Sequence, residues 1–247
     1  METIDLLISH RSIRKYKDKP IDDALLNTLI EAGARASNTG NMQMYSAVLT
    51  RDPAHRAEMA KLHYGQGASA PLYLTICVDV ERYHHWCRVN QCDQPYLTLL
   101  WLMMASVDAS IFAQNVCIAA ESKGLGFCYL GTVLYNAAQI AQLLQLPKGV
   151  VPLIALSMGW PDENPDQSER LPIEAILHNE TYPKYTDDDI HRIHKQREEF
   201  PFNQEMVRIN GVRNLAELFT TKRYPRKDNE AISASLKEFL TQSGFNI

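Results

Sequence analysis

The sequence predicts a sandwich of helices and strands, α/β or α+β in class. Apolar runs rich in strand-forming residues alternate with segments whose apolar residues recur at helical spacing. The chain has 247 residues, 45% of them hydrophobic, which is ample for a large core. Charged residues make up 22%, as in an ordinary soluble protein.

Residues 3–9 read as a short helix. Asp22 and Asp23 suit the N-terminus of the next, in which Leu25, Leu29 and Ala32 recur with Leu26, Ile30 and Gly33 beside them. It ends in the polar turn stretch ARASNTGN. MYSAVLT (44–50) reads as a strand and PAHRAEMAKLH (53–63) as a surface helix opened by Pro53. PLYLTICVD (71–79) is nearly continuous in apolar residues, as a buried strand is. GFCYLG (126–131) and VVPLIALSMGW (150–160) are similar, with Pro152 near the start of the latter, where a missing N–H is tolerated. NAAQIAQLLQL between them is helical and stopped by Pro147. Tyr96–Lys123 is the longest helix and is apolar nearly all round. After Trp160, PDENPDQSERLP is a loop. The charged remainder carries helices at Thr186–Glu199 and Asn229–Ser243, broken by EEFPFNQ and KRYPRKDN. It reads as an excursion over the main body or a partner. The domain reading is a core over 1–185 with a helical extension over 186–247 on the same domain or the partner subunit.

Several function classes lose ground on composition. A formal charge of -4 and a pI near 6.1 argue against nucleic-acid binding. METIDLLISHRS lacks a basic region followed by an apolar one, so no signal peptide is expected. The 96–123 helix would put Asp108 mid-bilayer at a cost of a few kcal/mol, so a core helix is expected and no membrane span. Cys77, Cys87, Cys92, Cys117 and Cys128 are an odd, scattered set that suits a reducing cytoplasm. HHWCRVNQC offers His84, His85, Cys87 and Cys92, but no second ligand pair follows. A polar loop is expected there, and no metal site.

The stretch HRSIRKYKDKPI (10–21) packs Arg11, Arg14, Lys15, Lys17 and Lys19 into nine positions. It is either a solvated basic turn or a socket for a phosphate. In a turn, Arg11 and Arg14 can point the same way with the Ser12 hydroxyl between them, and two guanidinium forks with a hydroxyl match phosphate oxygens. GLGFCYLG is not a dinucleotide fingerprint, because its glycines precede a strand; neither a Walker A sequence nor a G-x-S-x-G elbow is present.

Four segments in order, HRSIRKY, ASNTGNMQ, GLGFCYLG and GWPDENPDQSERLP, together resemble the FMN-dependent nitroreductase family. The match is nearest the NADPH-dependent oxygen-insensitive nitroreductase and flavin reductase branch, and it covers roughly residues 1–185. The resemblance implies an α+β fold, a three-layer α-β-α sandwich with a C-terminal excursion, dimeric, with FMN at the subunit interface. It implies that His10, Arg11, Ser12 and Arg14 hold the FMN phosphate and ribityl chain. Ser37, Asn38, Thr39 and Gln43 would line the flavin edge or come from the neighbouring subunit. Gln66 in HYGQ would sit near the pyrimidine ring, Tyr129, Leu130, Gly131 and Thr132 along the isoalloxazine, and Arg170 as a second phosphate clamp. Ser168 stands where relatives carry a lysine, and Leu134 and Tyr135 where they carry an arginine. The implied activity is NAD(P)H-driven reduction of nitroaromatics, quinones or flavins by ping-pong two-electron transfer at flavin N5, with no catalytic side chain required. The rival is a non-catalytic flavin-binding or sensor module.

Overall fold

The computed structural model describes residues 2–93 and 96–247. It contains two compact units: the chain up to Asp166 together with Ala234–Ile247, and Gln167–Ser233.

The first unit is built on four strands, β1 (Tyr45–Thr50), β2 (Leu72–Asp79), β3 (Gly126–Leu130) and β4 (Val150–Gly159), in the order β1-β2-β4-β3. Every neighbouring pair is antiparallel. The fold is therefore α+β; among the named strands none pairs in parallel, as α/β would require. Pro152 lies near the start of β4, as the sequence suggested, opposite Cys77 at a register shift after Ile76. β3 pairs only with Ala155–Gly159, so the bulge and the short neighbour together leave room for a residue that cannot donate to a ladder.

Side-chain alternation sorts the helices into layers. Leu72, Leu74 and Ile76 join a core with Phe112, Ala113, Val116 and Ala120 of α5 (Leu99–Ser122) and Leu26 and Leu29 of α2 (Asp23–Ala34). Tyr73 points to the other face, among Met59 of α3 (Pro53–Leu62) and Ile140 of α6 (Ala137–Leu143). The sheet is thus the middle of three layers. α1 (Thr3–Ile8) precedes them. α2 can approach α5 closely because Gly33 has no side chain: a Cβ there would come within 2.4 Å of Val116.

α5 begins at Thr98, whose side chain accepts from the Trp101 amide. It is long and apolar enough to cross a membrane by length and composition. Ala105, Ala109, Phe112, Ala113, Val116, Cys117 and Ala120 are buried. Leu99, Leu100, Met103 and Val107 are exposed by more than half, and Ile111 by 39%.

One expectation fails. The HHWCRVNQC stretch is not a loop: Glu81–Val89 forms α4, with His84 and Cys87 buried one turn apart. The Asp79 carboxylate accepts from the Arg82 amide and starts the helix, and three-residue spacing puts the two buried side chains on one face. The sequence reading weighed these residues as ligands and missed that spacing.

In the second unit, α7 (Asp187–Glu199) starts at Thr186 with a full capping box to Asp189. α8 (Pro201–Asn210) restarts with its proline in the first turn and stops at Gly211 in the left-handed region. A short α9 (Leu215–Leu218) follows, and then α10 (Arg226–Gln242), whose residues from Ala234 on belong to the first unit. Beyond it, Phe245 is buried with Met44, Val78, Leu102 and Val151 of the first unit's core.

Candidate functional site: a cationic strip and two turns on one side of the sheet

The basic stretch runs alongside β3. The Ile13 amide donates to the Phe127 carbonyl at 2.9 Å, and Tyr16 bridges Pro161 in antiparallel fashion. Gly126 makes this possible, because a Cβ there would lie 2.5 Å from Ile13. The Arg14 and Lys15 amides both donate to a Glu163 carboxylate oxygen, at 2.5 and 3.0 Å. The backbone is thereby held, and the charged side chains are left for other work.

Those side chains part company. Lys19 lies 3.8 Å over the Trp160 ring. His10 stacks on Phe127 and pairs through Nδ1 with Glu121 Oε1 at 2.6 Å. Arg11 reaches the Ser9 carbonyl through Nη1 at 3.2 Å, while its Nε is buried with no partner among the described residues. A buried donor without an acceptor is costly, and an anion is the group that satisfies a guanidinium N–H best. Arg14 is exposed, with Nη1 donating to the Ser12 carbonyl at 3.4 Å. Its charge and hydrogen bond work against the burial that pushes the Cys128 thiol up.

Two turns complete this side. The chain leaving α3 turns through Tyr64, Gly65 and Gly67, all with positive φ. A Cβ on Gly67 would meet the Ser157 side chain at 2.6 Å, so the turn is pressed against β4. The Tyr16 amide donates to Ser69 Oγ at 3.2 Å, and the Tyr16 hydroxyl meets Ser157, so strip and turn are tied together. Gln66 is exposed. After β3, Gly131–Val133 is a tight 3-10 turn; a Cβ on Gly131 would touch nothing within 4 Å. Tyr129 directs its hydroxyl to Gln114 at 3.2 Å, and Leu130 is in the core. The buried Thr132 hydroxyl is 2.7 Å from His63 Nδ1. Open space beside a glycine turn at one end of β3, with the basic strip along the same strand, fits a flat ring bearing a phosphate tail.

The segment 37–43 is elsewhere. It precedes β1, and β1 and β3 are the two edges of a four-stranded sheet. Three strand spacings separate them, about 14 Å. Asn38 Oδ1 accepts from the Gln43 amide at 3.3 Å, and Thr39 donates twice to the buried Asp108. Gly40, Asn41 and Gln43 all have positive φ, which costs Gly40 nothing but strains the two non-glycine positions, as is found at binding loops. Arg82 pins the loop's end by donating to the Gln43 and Tyr45 carbonyls. Ser37 is exposed.

Ser168 and Arg170 belong to the second unit. Arg170 Nη1 donates to Ser168 Oγ at 2.7 Å and to two neighbouring carbonyls. The intervening Glu169 is held by Arg197 and Asn203, both at 3.1 Å. Burial works against its charge, but hydrogen bonds from Asn203 and Arg197 outweigh it and hold the carboxyl below the usual range.

The residues that motif reading passed over are His63, Tyr16, Glu163, Glu121 and Asp108. Each is a single polar residue with a partner far along the chain; His63, Tyr16 and Glu163 stand inside the quoted motifs HYGQ, HRSIRKY and GWPDENPDQSERLP, but Glu121 and Asp108 do not.

These features define a three-layer α+β protein with a candidate site along one sheet edge. The Nitroreductase family model matches residues 7–94 and 101–160, and the chain belongs to the nitroreductase family. It is 35% identical over 201 residues to an oxygen-insensitive NADPH nitroreductase of Salmonella typhimurium, covering 80% of this chain and 82% of that one. A solved structure of a protein from Bacteroides fragilis NCTC 9343 matches with a TM-score of 0.96 at 40% identity, over 98% of this chain and 100% of that one. The NADPH:FMN oxidoreductase from Vibrio harveyi complexed with NAD+ matches with a TM-score of 0.80 at 31% identity, over 98% of each.

Proposed function

We propose that this protein is an FMN-dependent oxidoreductase that uses NADPH or NADH to reduce nitroaromatics, quinones or flavins. The observation that carries the reading is the gathering of three distant stretches, 10–16, 63–69 and 129–132, on one side of the sheet, with a buried unpartnered guanidinium N–H among them. The names of the relatives agree with it: one is an NADPH nitroreductase, another an NADPH:FMN oxidoreductase.

Arg11, Arg14 and the Ser12 hydroxyl hold the phosphate, with His10 fixed beside them by Glu121. Gln66 faces the pyrimidine edge. Tyr129, Leu130, Gly131 and Thr132 line the ring, and the bare Gly131 lets backbone approach it. Bound FMN supplies two-electron redox chemistry, so the chain needs no nucleophile of its own. Its residues orient the ring, place N–H dipoles at the ring's polar edges and leave one face open. Donor and acceptor use that same face in turn, which makes the kinetics ping-pong.

Ser37, Asn38, Thr39 and Gln43 reach the flavin of a second subunit. The edge-to-edge distance within one sheet supports this, and so does the uncovered ridge Leu99, Met103, Val107 and Ile111 on α5. The active form is then a homodimer with FMN at the interface. Arg170, with Ser168 in place of a lysine, adds a second phosphate cation on the strength of motif resemblance. On the same footing, residues 1–185 are the flavin-binding core and 186–247 a helical extension. Free cysteines and a small-molecule substrate suit the cytoplasm.

The test is the absorption spectrum of purified protein with added FMN, followed by anaerobic titration with NADPH and NADH separately. Loss of the band near 450 nm is expected. A bound flavin that neither nucleotide bleaches would make the protein a binding module instead.

A further inference from the structure

We propose that His63, acting with Tyr73, is a positioning residue that sets the spacing between Gln66 and Gly131 across the flavin. The inference rests on the cofactor reading above and concerns what holds its two turns at a fixed separation.

His63 is fully buried at the end of α3, and its Nδ1 is 2.7 Å from Thr132 Oγ1. That contact spans 69 residues of sequence and joins the 63–67 turn to the 131–133 turn, which no ladder or helix connects. The imidazole stacks on Tyr73, with centroids 5.9 Å apart and planes 22° apart. The Tyr73 hydroxyl in turn donates to the Gln66 carbonyl at 2.9 Å. The Gln66 amide closes the circuit on the His63 carbonyl at 3.0 Å. Asn136, just past the second turn, donates to the Leu62 carbonyl at 2.6 Å. Both turns therefore hang on one polar cluster seated on β2.

A leucine of similar bulk would fill this place without burying polar atoms. Instead the chain places an imidazole here, with Nε2 buried and without a partner among the described residues. Burial lowers its pKa to about 4, so the ring is neutral at pH 7. With the proton on Nδ1 it donates to Thr132 and strands only a lone pair on Nε2, which costs less than stranding an N–H. A directional bond between two loops fixes a separation that apolar packing alone would leave loose. Gly131 is the chain neighbour of Thr132, and Gln66 lies one turn beyond His63.

The test compares holoprotein carrying His63→Asn, His63→Gln and His63→Leu. Asparagine puts an amide near the place of Nδ1 and keeps the reach to Thr132; glutamine places it near Nε2; leucine keeps only bulk. FMN dissociation constants are read by flavin fluorescence, and midpoint potentials of the bound flavin by equilibration with redox dyes. His63→Asn is expected within about twofold of wild type. His63→Gln and His63→Leu are expected to change the ratio of oxidised to reduced flavin affinity tenfold or more, about 30 mV for a two-electron couple. Equal potentials and affinities for all three variants would overturn the proposal. Should the larger changes prevent folding, Tyr73→Phe decides: it removes only the hydroxyl on the Gln66 carbonyl, and wild-type affinity and potential in that variant would overturn it too. Wild-type protein that takes up no FMN at all defeats the cofactor reading first, and this inference with it.

Discussion

Asp108, midway along the longest helix, accepts hydrogen bonds at one carboxylate oxygen from both the amide and the hydroxyl of Thr39, at 2.9 and 3.0 Å. Its other oxygen is buried without a partner, as is the Tyr45 hydroxyl. Burial raises the Tyr45 phenol, and the negative charge of Asp108 adds to the rise. One core carboxylate thus anchors the strained loop that carries Asn38 and Gln43.

Asp108→Ala leaves both Thr39 donors without their acceptor and is expected to cost about 1–3 kcal/mol. Asp108→Asn retains an acceptor oxygen and costs less. Urea unfolding with linear extrapolation measures both. Wild-type stability of the alanine variant would show that the anchor is idle.

Arg11→Met keeps much of the side chain's bulk and removes the buried guanidinium. Hydrogen bonds to charged groups contribute about 1.5–3 kcal/mol, and each 1.4 kcal/mol is tenfold, so the FMN dissociation constant is expected to rise at least about tenfold. Titration of apoprotein with FMN reads it directly. An unchanged constant would remove Arg11 from the phosphate site.

Acid is expected to destabilise the fold through His63. Its pKa falls from 6.5 when exposed to about 4 in the folded protein. Between those values the unfolded chain binds a proton that the folded chain refuses, so stability declines as pH falls from about 6.5 toward 4. The loss is on the order of 2–3 kcal/mol over that window. His63→Asn carries no titrating ring and should flatten that part of the curve. Identical pH slopes for wild type and His63→Asn would contradict this.

The exposed ridge of α5 gives a test of assembly. Met103 and Val107 are 57% and 54% exposed and lie one turn apart. Met103→Glu combined with Val107→Lys is expected to yield a monomer by light scattering and to weaken FMN binding, because each site then loses the other subunit's 37–43 loop. A charged double variant that stays dimeric with FMN bound would move the interface elsewhere.

Local chemistry made much of this legible in the sequence. Asp22, Pro53, Thr186 and Pro147 mark helix ends wherever they stand, and alternation along β2 follows from side-chain geometry alone. HRSIR could be singled out because two guanidinium forks and a hydroxyl close together in sequence match phosphate oxygens, whereas HYGQ and the 129–132 stretch stand out through the family resemblance alone. The 81–89 helix was missed because its His and Cys residues invited a ligand reading before their spacing was weighed.

What the tertiary structure alone decided concerns pairs of residues far apart in the chain. Strand order placed β1 and β3 on opposite edges and so parted the 37–43 loop from the other predicted cofactor residues. Folding also joined His63 to Thr132, Asp108 to Thr39, and Glu163 to the backbone of the basic strip. A sequence records which groups can donate and accept; which of them meet depends on chain reversals and sheet register, and those are settled by burial summed over the whole core.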